Sequence, residues 1–219
     1  MRITGGVYRS RALKAPKGSL TRPTSDRVRE ALFSILGPRA AAESVLDLYA
    51  GTGALGFEAL SRGAGAVVFV ERSKDALVAL QANVESLGAR DRVRVLASSV
   101  ERAAARLERE RFGLVFVDPP YADVKAGLTK STLEALFVPL LEARGMLVLE
   151  HASRDPPPIL TGLVMEDSRI YGDTALSFFV RPDDARPIED AGDVEARKNQ
   201  ARKNQTGDQT GDQTGEKGR

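Results

Sequence analysis

The chain has 219 residues, of which 42% are hydrophobic and 28% are charged, and its formal net charge is +2. This length suits one globular domain with short additional segments, and the absence of cysteine excludes disulfide bonds and cysteine-based metal sites. No apolar run approaches the roughly 20 residues that a membrane span needs, and the basic N-terminus lacks the apolar core of a signal peptide. We therefore expect a soluble, cytoplasmic protein with no membrane partner and no metal.

Basic residues are concentrated at the N-terminus. Residues 1–44 contain nine Lys or Arg and three Asp or Glu, so this segment carries +6 and the remainder about −4. This asymmetry is typical of a protein that meets a polyanionic partner from one side, although a surface that only improves solubility can have the same composition.

The N-terminal segment is predicted to form a hairpin followed by a helix. Residues 1–20 can turn at Gly5-Gly6, which supply the positive φ of a tight turn. Thr24 or Ser25 can cap the helix, and Gly37-Pro38 ends it. We expect residues 1–43 to be a basic extension of the main domain.

From Ser44 onwards, short apolar runs alternate with amphipathic helices. Strands are predicted at 45–48, 66–70, 93–96, 114–117, 146–149, 163–170 and 175–180. Helices are predicted at 54–62, 73–87, 100–110 and 131–140. Buried parallel strands joined by crossover helices make a doubly wound α/β sheet, and the last two strands are predicted to form a hairpin. The sequence therefore predicts a mostly parallel, seven-stranded sheet with an antiparallel last strand, within a domain of residues 44–182.

The C-terminal segment has a different composition. Hydrophobic periodicity stops at about Asp183, and residues 196–213 consist of short, repeated polar units. Such a segment has too little apolar surface to offset the entropy of ordering it, so residues 183–219 are predicted to be a disordered, low-complexity tail.

A glycine-rich turn follows the first predicted strand of the domain. Gly51–Gly56 matches G-x-G-x-x-G between a strand and a helix, and Glu71 ends the next strand. This pattern is typical of a site for NAD or for S-adenosylmethionine (SAM), because both present ribose hydroxyls to an acidic residue. Asp47 favours SAM, since a carboxylate would repel a pyrophosphate but attract the ammonium and sulfonium of SAM.

A second motif, Asp118-Pro119-Pro120-Tyr121, follows the fourth strand of the domain and should face the same crevice. Two prolines make a stiff loop with free carbonyl acceptors, and the ring of Tyr121 can stack on a flat base. An array of acceptors suits an exocyclic amine, because hydrogen bonds from both N–H groups favour a nitrogen whose lone pair points at the methyl donor. The alternative is that Pro119-Pro120 only turns the chain.

These motifs resemble the bacterial RsmD family. The resemblance is carried by Asp118–Tyr121 together with residues 21–33, 47–64 and 171–174, and it extends over about residues 1–181. It implies a Rossmann-like class I SAM-dependent methyltransferase fold with an N-terminal extension that binds RNA. It also implies transfer of a methyl group from SAM to guanine N2 of 16S rRNA, at the position usually called guanine 966, in a 30S subunit or assembly intermediate.

The resemblance also implies roles for individual residues. The expected cofactor-binding residues are Asp47, Tyr49, Gly51, Gly53, Glu71, Ser99 and Val100. The expected catalytic, base-binding residues are Asp118, Pro119, Pro120 and Tyr121. The expected RNA-binding residues are Arg9, Arg11, Arg22 and Arg27. Many relatives have an acidic residue for the adenine amine after the third strand, where this chain has Ser98-Ser99-Val100, so that only backbone and hydroxyl contacts are expected there.

Other residues and functions stay open at this point. His151 and Asn83 are expected to be structural, whereas Arg27 and Arg29 can serve RNA binding or only solvate their helix. Competing functions are an amino methyltransferase acting on DNA or on protein glutamine, an NAD-dependent oxidoreductase, and a non-catalytic RNA-binding factor. We expect a monomer, because no exposed apolar helix is evident.

Overall fold

The computed structural model describes residues 1–15, 26–120, 123–124 and 127–185. The described residues belong to one compact unit, Met1–Ala185. The predicted caps Thr24 and Ser25, together with Arg22, Tyr121 and nearly all of the predicted tail, lie outside the described residues.

Five helices and seven strands make up the described domain. The helices are α1 (Asp26–Leu36), α2 (Ala54–Ser61), α3 (Lys74–Leu87), α4 (Val100–Leu107) and α5 (Leu128–Thr132). The strands are β1 (Ser44–Leu48), β2 (Ala66–Glu71), β3 (Val93–Ala97), β4 (Phe112–Val117), β5 (Leu141–Ala152), β6 (Val164–Tyr171) and β7 (Thr174–Val180). All seven predicted strands are confirmed, most with a difference of one or two residues at an end.

The strands form one sheet in the order β3-β2-β1-β4-β5-β7-β6. Strands β1 to β5 pair in parallel, and β7 runs antiparallel to both β5 and β6. This confirms the predicted mostly parallel α/β sheet with an antiparallel last strand. The strand order reverses between β1 and β4, and in open α/β sheets ligands bind beyond the carboxyl ends of the strands at such a point.

Two apolar cores cover the two faces of the sheet. One packs α1, α2 and α3 against the sheet through residues such as Phe33, Phe57 and Leu80. The other packs α4 and the segment 133–140 against the opposite face, with Leu107 and Phe137 fully buried. Side chains alternate between the two faces along each strand, so parity in the sequence decides which core a strand residue joins.

The largest departure from the predicted elements lies between β4 and β5. A single helix was expected at 131–140, but α5 gives way to a π-helical turn at Leu133–Phe137 and a 3-10 turn at Val138–Leu140. Pro139 helps to explain the loss of regular helix, because it has no N–H to donate to the preceding turn. Strand β5 then begins earlier than predicted and contains a register shift around Arg144, whose φ is 62°.

Residues 1–15, which we call the arm, form a wider hairpin than predicted. Ile3 donates its N–H to Arg11 O at 3.0 Å and accepts that of Ser10 at 2.9 Å, so the connection spans residues 4–9 instead of a tight turn at Gly5-Gly6. The connection is held by a bond within it, from Arg9 N–H to Gly6 O at 3.2 Å, and by a bond to α2, where Ser61 O accepts the N–H of Val7 at 2.7 Å. The arm is therefore docked against α2 rather than projecting from the domain.

A buried polar cluster joins the arm, α1 and α2. Arg29 and Glu58 are both fully buried, with Arg29 Nε 3.4 Å from Glu58 Oε2, and Arg29 also donates to Asp26 Oδ1 at 2.8 Å and to Arg2 O. Glu58 accepts the N–H groups of Thr4 and Gly5, each at 2.8 Å, and its Oε1 lies 2.9 Å from Arg62 Nε. The sequence left two roles open for Arg29, RNA binding or solvation of its helix. Both are wrong, because its guanidinium is buried and pairs with groups inside the protein.

We expect Arg29→Ala to lower the free energy of unfolding by about 3–5 kcal/mol, because removing one partner of a buried ion pair leaves uncompensated charge and unpaired backbone groups. Arg27 lies two residues earlier on α1 and is exposed, so Arg27→Ala is the matched control and should change stability by less than about 0.5 kcal/mol. Urea unfolding measures both variants. Equal effects of the two substitutions would contradict the assigned role of Arg29.

Candidate active site

Four acidic side chains lie at the carboxyl ends of neighbouring strands. Asp47 is the penultimate residue of β1, Glu71 ends β2, Asp118 follows β4, and Glu150 lies near the end of β5. The residues two positions earlier all belong to the core on the α1–α3 face of the sheet: Val45, Phe69, Phe116 and Val148. By the alternation of strand side chains, the four carboxyl groups therefore share that face, at the point where the strand order reverses.

Asp47 ties the end of β1 to the start of α2. Asp47 is only 2% exposed to solvent. Its Oδ2 accepts the N–H of Gly56, in the first turn of α2, at 2.9 Å. Burial raises the pKa of Asp47 to about 8, against the opposing effect of the Gly56 N–H and with a further contribution from the negative charge of Glu71. The carboxyl group is thus mostly protonated at pH 7 without a ligand, and a cation bound beside it would ionise it.

Glu71 organises the glycine-rich turn. Its Oε2 accepts the N–H of Gly51 at 2.8 Å, while Oε1 accepts those of Arg72 and Ser73, both at 2.7 Å. Gly51 has a φ of 56°, and a Cβ built there would have only Tyr49 O, at 4.0 Å, in its vicinity. The turn therefore leaves open space beside Gly51, which would let a ligand approach the backbone closely.

Tyr49 has a left-handed backbone conformation, with a φ of 60°. This conformation is rare for a large side chain and is found most often at functional sites. Partial burial raises the pKa of the Tyr49 hydroxyl, and the negative charges of Glu101 and Asp123 add to the effect. The Tyr49 side chain is partly buried against the apolar core that contains Val100, the first residue of α4.

The beginning of α4 supplies an acidic residue that the sequence analysis missed. Ser99 is the N-cap position of α4, and Val100, its first residue, is 4% exposed. Glu101 follows, and hydrogen bonds from its own N–H and from the Ser99 side chain lower its pKa, with a smaller contribution from Arg72. An acidic residue therefore lies three positions after Ser98, next to the place where only backbone and hydroxyl contacts were expected. An acidic residue in the first turn of a helix after a strand is the signal that could have found it.

Asp118 begins the second motif directly after β4. Its N–H lies 3.5 Å from Leu48 O, Pro119 is buried and Pro120 is exposed. Shielding from water raises the pKa of Asp118 well above its ordinary value, and the negative charges of Glu150 and Asp47 raise it further. Glu150 was not among the predicted site residues, although a carboxylate at the end of an apolar strand is an evident signal for one.

The remaining predicted residues are distributed as follows. Arg9, Arg11 and Arg27 are exposed, and Arg11 also donates to Ser86 O at 2.5 Å. His151 is buried, with Nδ1 3.1 Å from Ala152 O and Nε2 2.9 Å from Ser177 Oγ, which fits the expected structural role. Within the described ranges, no group of three or more His, Asp or Glu could hold a metal ion, and no helix could span a membrane.

A family model described as "Conserved hypothetical protein 95" matches residues 1–180. Ribosomal RNA small subunit methyltransferase D of Escherichia coli (strain K12) is 39% identical over 150 residues, which are 68% of this chain and 71% of that protein. The chain belongs to the RsmD family. The Bacillus subtilis protein YlbH is 36% identical over 182 residues, covering 82% of this chain and 98% of YlbH.

A solved structure supports the same assignment. The structure of yhhF from Escherichia coli has a TM-score of 0.72 and 32% identity, over 85% of this chain and 99% of that chain. The fold of this RsmD-family chain is accordingly the Rossmann-like class I methyltransferase fold that the sequence predicted. The carboxyl ends of β1, β2 and β4 lie where ligands bind in such sheets.

Proposed function

We propose that this protein methylates small-subunit rRNA, using SAM to modify the exocyclic N2 of a guanine. The observation that carries this proposal is the placement of Asp118-Pro119-Pro120 beside the open glycine-rich turn, at the carboxyl ends of adjacent strands β1 and β4. The glycine-rich turn would hold the methyl donor, and the loop after β4 would hold the amine that receives the methyl group. The Escherichia coli relative, which is 39% identical in sequence, is named as a methyltransferase of small-subunit ribosomal RNA, and this supports rRNA as the substrate.

The proposed cofactor residues fit SAM. When bound, SAM supplies the methyl group to be transferred. Asp47 would bind its ammonium and Glu71 its ribose hydroxyls, and Gly51 would let the backbone approach it closely. Gly53 would contribute backbone contacts, because a Cβ there would point at the core, 2.5 Å from Leu80 Cδ1 and 2.6 Å from Phe57 Cε2. Tyr49, Ser99 and Val100 would line the adenine end, and Glu101 adds a carboxylate there that can accept a hydrogen bond from an amine.

The proposed base-binding residues account for attack by a weak nucleophile. The guanine amine donates to Asp118 and to the carbonyl groups of the Pro119-Pro120 loop, which orients its lone pair towards the methyl group. As the new N–C bond forms, the methyl–sulfur bond breaks and the nitrogen must lose a proton. In its ionised form Asp118 would accept that proton, and because its surroundings raise the pKa of its carboxyl group, it would be a stronger base than an exposed aspartate. We propose that Tyr121 stacks on the base.

We propose that residues 1–43 form the rRNA-binding extension and residues 44–182 the catalytic domain. Arg9 and Arg11 lie on the exposed surface of the arm, and Arg27 lies on the exposed surface of α1. Arginine binds phosphate oxygens with a fixed fork of donors, so a group of this kind would position the substrate without reading its sequence. We further propose guanine 966 of 16S rRNA, within a 30S subunit or an assembly intermediate, as the target.

The double variant Arg9→Ala/Arg11→Ala is expected to weaken binding of undermodified 30S subunits about tenfold at low salt. A plot of the logarithm of the association constant against the logarithm of salt concentration should become less steep by about 1–2. Arg106→Ala, on the exposed surface of α4, is the matched control. Filter binding across a salt series measures both. An unchanged slope in the double variant would show that these side chains do not contact phosphate.

Methyl transfer from tritiated SAM to undermodified 30S subunits tests the proposed function. We expect label in 16S rRNA that is released by RNase and that migrates as N2-methylguanosine after digestion to nucleosides. Label that resists RNase but is removed by protease would indicate a protein amide, and label in added DNA would indicate a DNA amino group. No label with protein that binds S-adenosylhomocysteine (SAH) would overturn the proposal.

A further inference from the structure

One buried side chain contacts both the arm and the glycine-rich turn. Asn83 lies in α3 and is 0% exposed. Its Oδ1 accepts the N–H of Lys14 at 2.7 Å, and its Nδ2 donates to Lys14 O at 3.1 Å and to Thr52 O at 3.0 Å. Thr52 is the residue between Gly51 and Gly53, so the amide connects the end of the arm to the middle of the turn.

This arrangement fixes the arm in a specific position. Both backbone groups of Lys14 pair with one amide, as they would with a neighbouring strand, and both hydrogens of Nδ2 are used. The other described links from the arm go mainly to α2, through Glu58 and Ser61. A second contact with the turn, from Thr52 Oγ1 to Met1 Sδ at 3.8 Å, is weak because a thioether is a poor acceptor.

We propose that Asn83 is a positioning residue that couples the arm to the SAM-binding turn, so that rRNA on the arm and SAM in the turn favour each other's binding. A ligand that orders Thr52 would hold the amide of Asn83, and the amide would hold Lys14. The second ligand would then pay less to order its own site. By thermodynamic linkage the effect is reciprocal. This inference rests on the proposed function.

Hydrogen exchange of the full-length protein, with SAH as the probe, tests the coupling without RNA. In the wild type, saturating SAH is expected to slow exchange of the Ile3 and Leu13 amides, which bond to Arg11 O and Met1 O, by about fivefold or more. Asn83→Asp keeps the acceptor for Lys14 N–H but loses both donors, so the slowing should disappear. Lys14→Ala keeps the backbone bonds and should respond as the wild type does.

The comparison of exchange with and without SAH separates coupling from simple support, because a purely structural Asn83 would change the basal exchange rates but not the response to SAH. If Asn83→Asp does not fold, Lys14→Pro removes the arm N–H that bonds to Asn83 Oδ1 and should also abolish the response. Wild-type protein that binds SAH without slowing the arm amides overturns the inference and leaves the proposed function standing. Absence of SAH binding in calorimetry overturns the proposed function itself.

Discussion

Asp118→Asn is expected to lower the rate of methyl transfer to 30S subunits about a thousandfold while leaving SAH affinity within a few-fold of the wild type. The amide has the same shape as the carboxyl group, but it carries no negative charge for the developing positive charge on nitrogen. It also cannot accept the proton that the nitrogen loses. Single-turnover assays with saturating particles and SAM isolate this chemical step from binding.

Asp91→Asn is the matched control for this substitution. Asp91 is exposed in the turn that precedes β3, at the opposite end of the sheet from the candidate site. Its substitution should leave both the rate and SAH affinity unchanged. Full activity of Asp118→Asn would remove the basis for assigning the amine site to the loop after β4.

The second large effect is expected at Asp47. Its pKa of about 8 means that the carboxyl group of the free protein is mostly protonated at pH 7. Binding of a ligand with an ammonium group should ionise it, so SAH binding at pH 7 should release close to one proton. Calorimetry in buffers of different ionisation enthalpy measures this number directly. Asp47→Asn should bind SAH more weakly and release almost no proton.

The same pKa has a consequence for stability. The folded pKa of Asp47 lies above that of an exposed aspartate, so the native state binds more protons than the unfolded state between about pH 4 and pH 8. Its contribution therefore lowers the free energy of unfolding as pH rises through this window, by up to about 1.4 kcal/mol per pH unit. Asp47→Asn should show a smaller slope, and the slope should also decrease in saturating SAH. A wild-type slope equal to that of Asp47→Asn would contradict the raised pKa.

The sheet could be predicted because its signals are local. Buried parallel strands such as β2 and β4 are continuous apolar runs, and Gly88, with a φ of 63°, ends α3 where the sequence indicated. Because the strand ends could be predicted from the sequence, it also followed that Asp47, Glu71 and Asp118 lie together at the carboxyl ends of the parallel strands. Their roles in binding and catalysis remain predictions.

The features that escaped prediction depend on contacts between distant residues. Arg29 has the appearance of a surface residue of α1 until Glu58, 29 positions later, is placed beside it. Asn83 joins residues 69 positions before it and 31 positions before it in the sequence. Glu150 shares a site with Asp118 only because β4 and β5 are neighbours in the sheet. No local propensity encodes these partners, so they emerged only from the folded chain.

We propose that this chain modifies a guanine amine of small-subunit rRNA. The most direct test is to map methylated nucleotides in 16S rRNA from a strain that lacks the gene and from its parent, by nuclease digestion and mass spectrometry. We predict that the parent carries N2-methylguanine at the position equivalent to guanine 966, and that the deletion strain carries unmodified guanine there and regains the methyl group with the wild-type gene but not with Asp118→Asn. An identical set of modified nucleotides in parent and deletion strain would contradict the account.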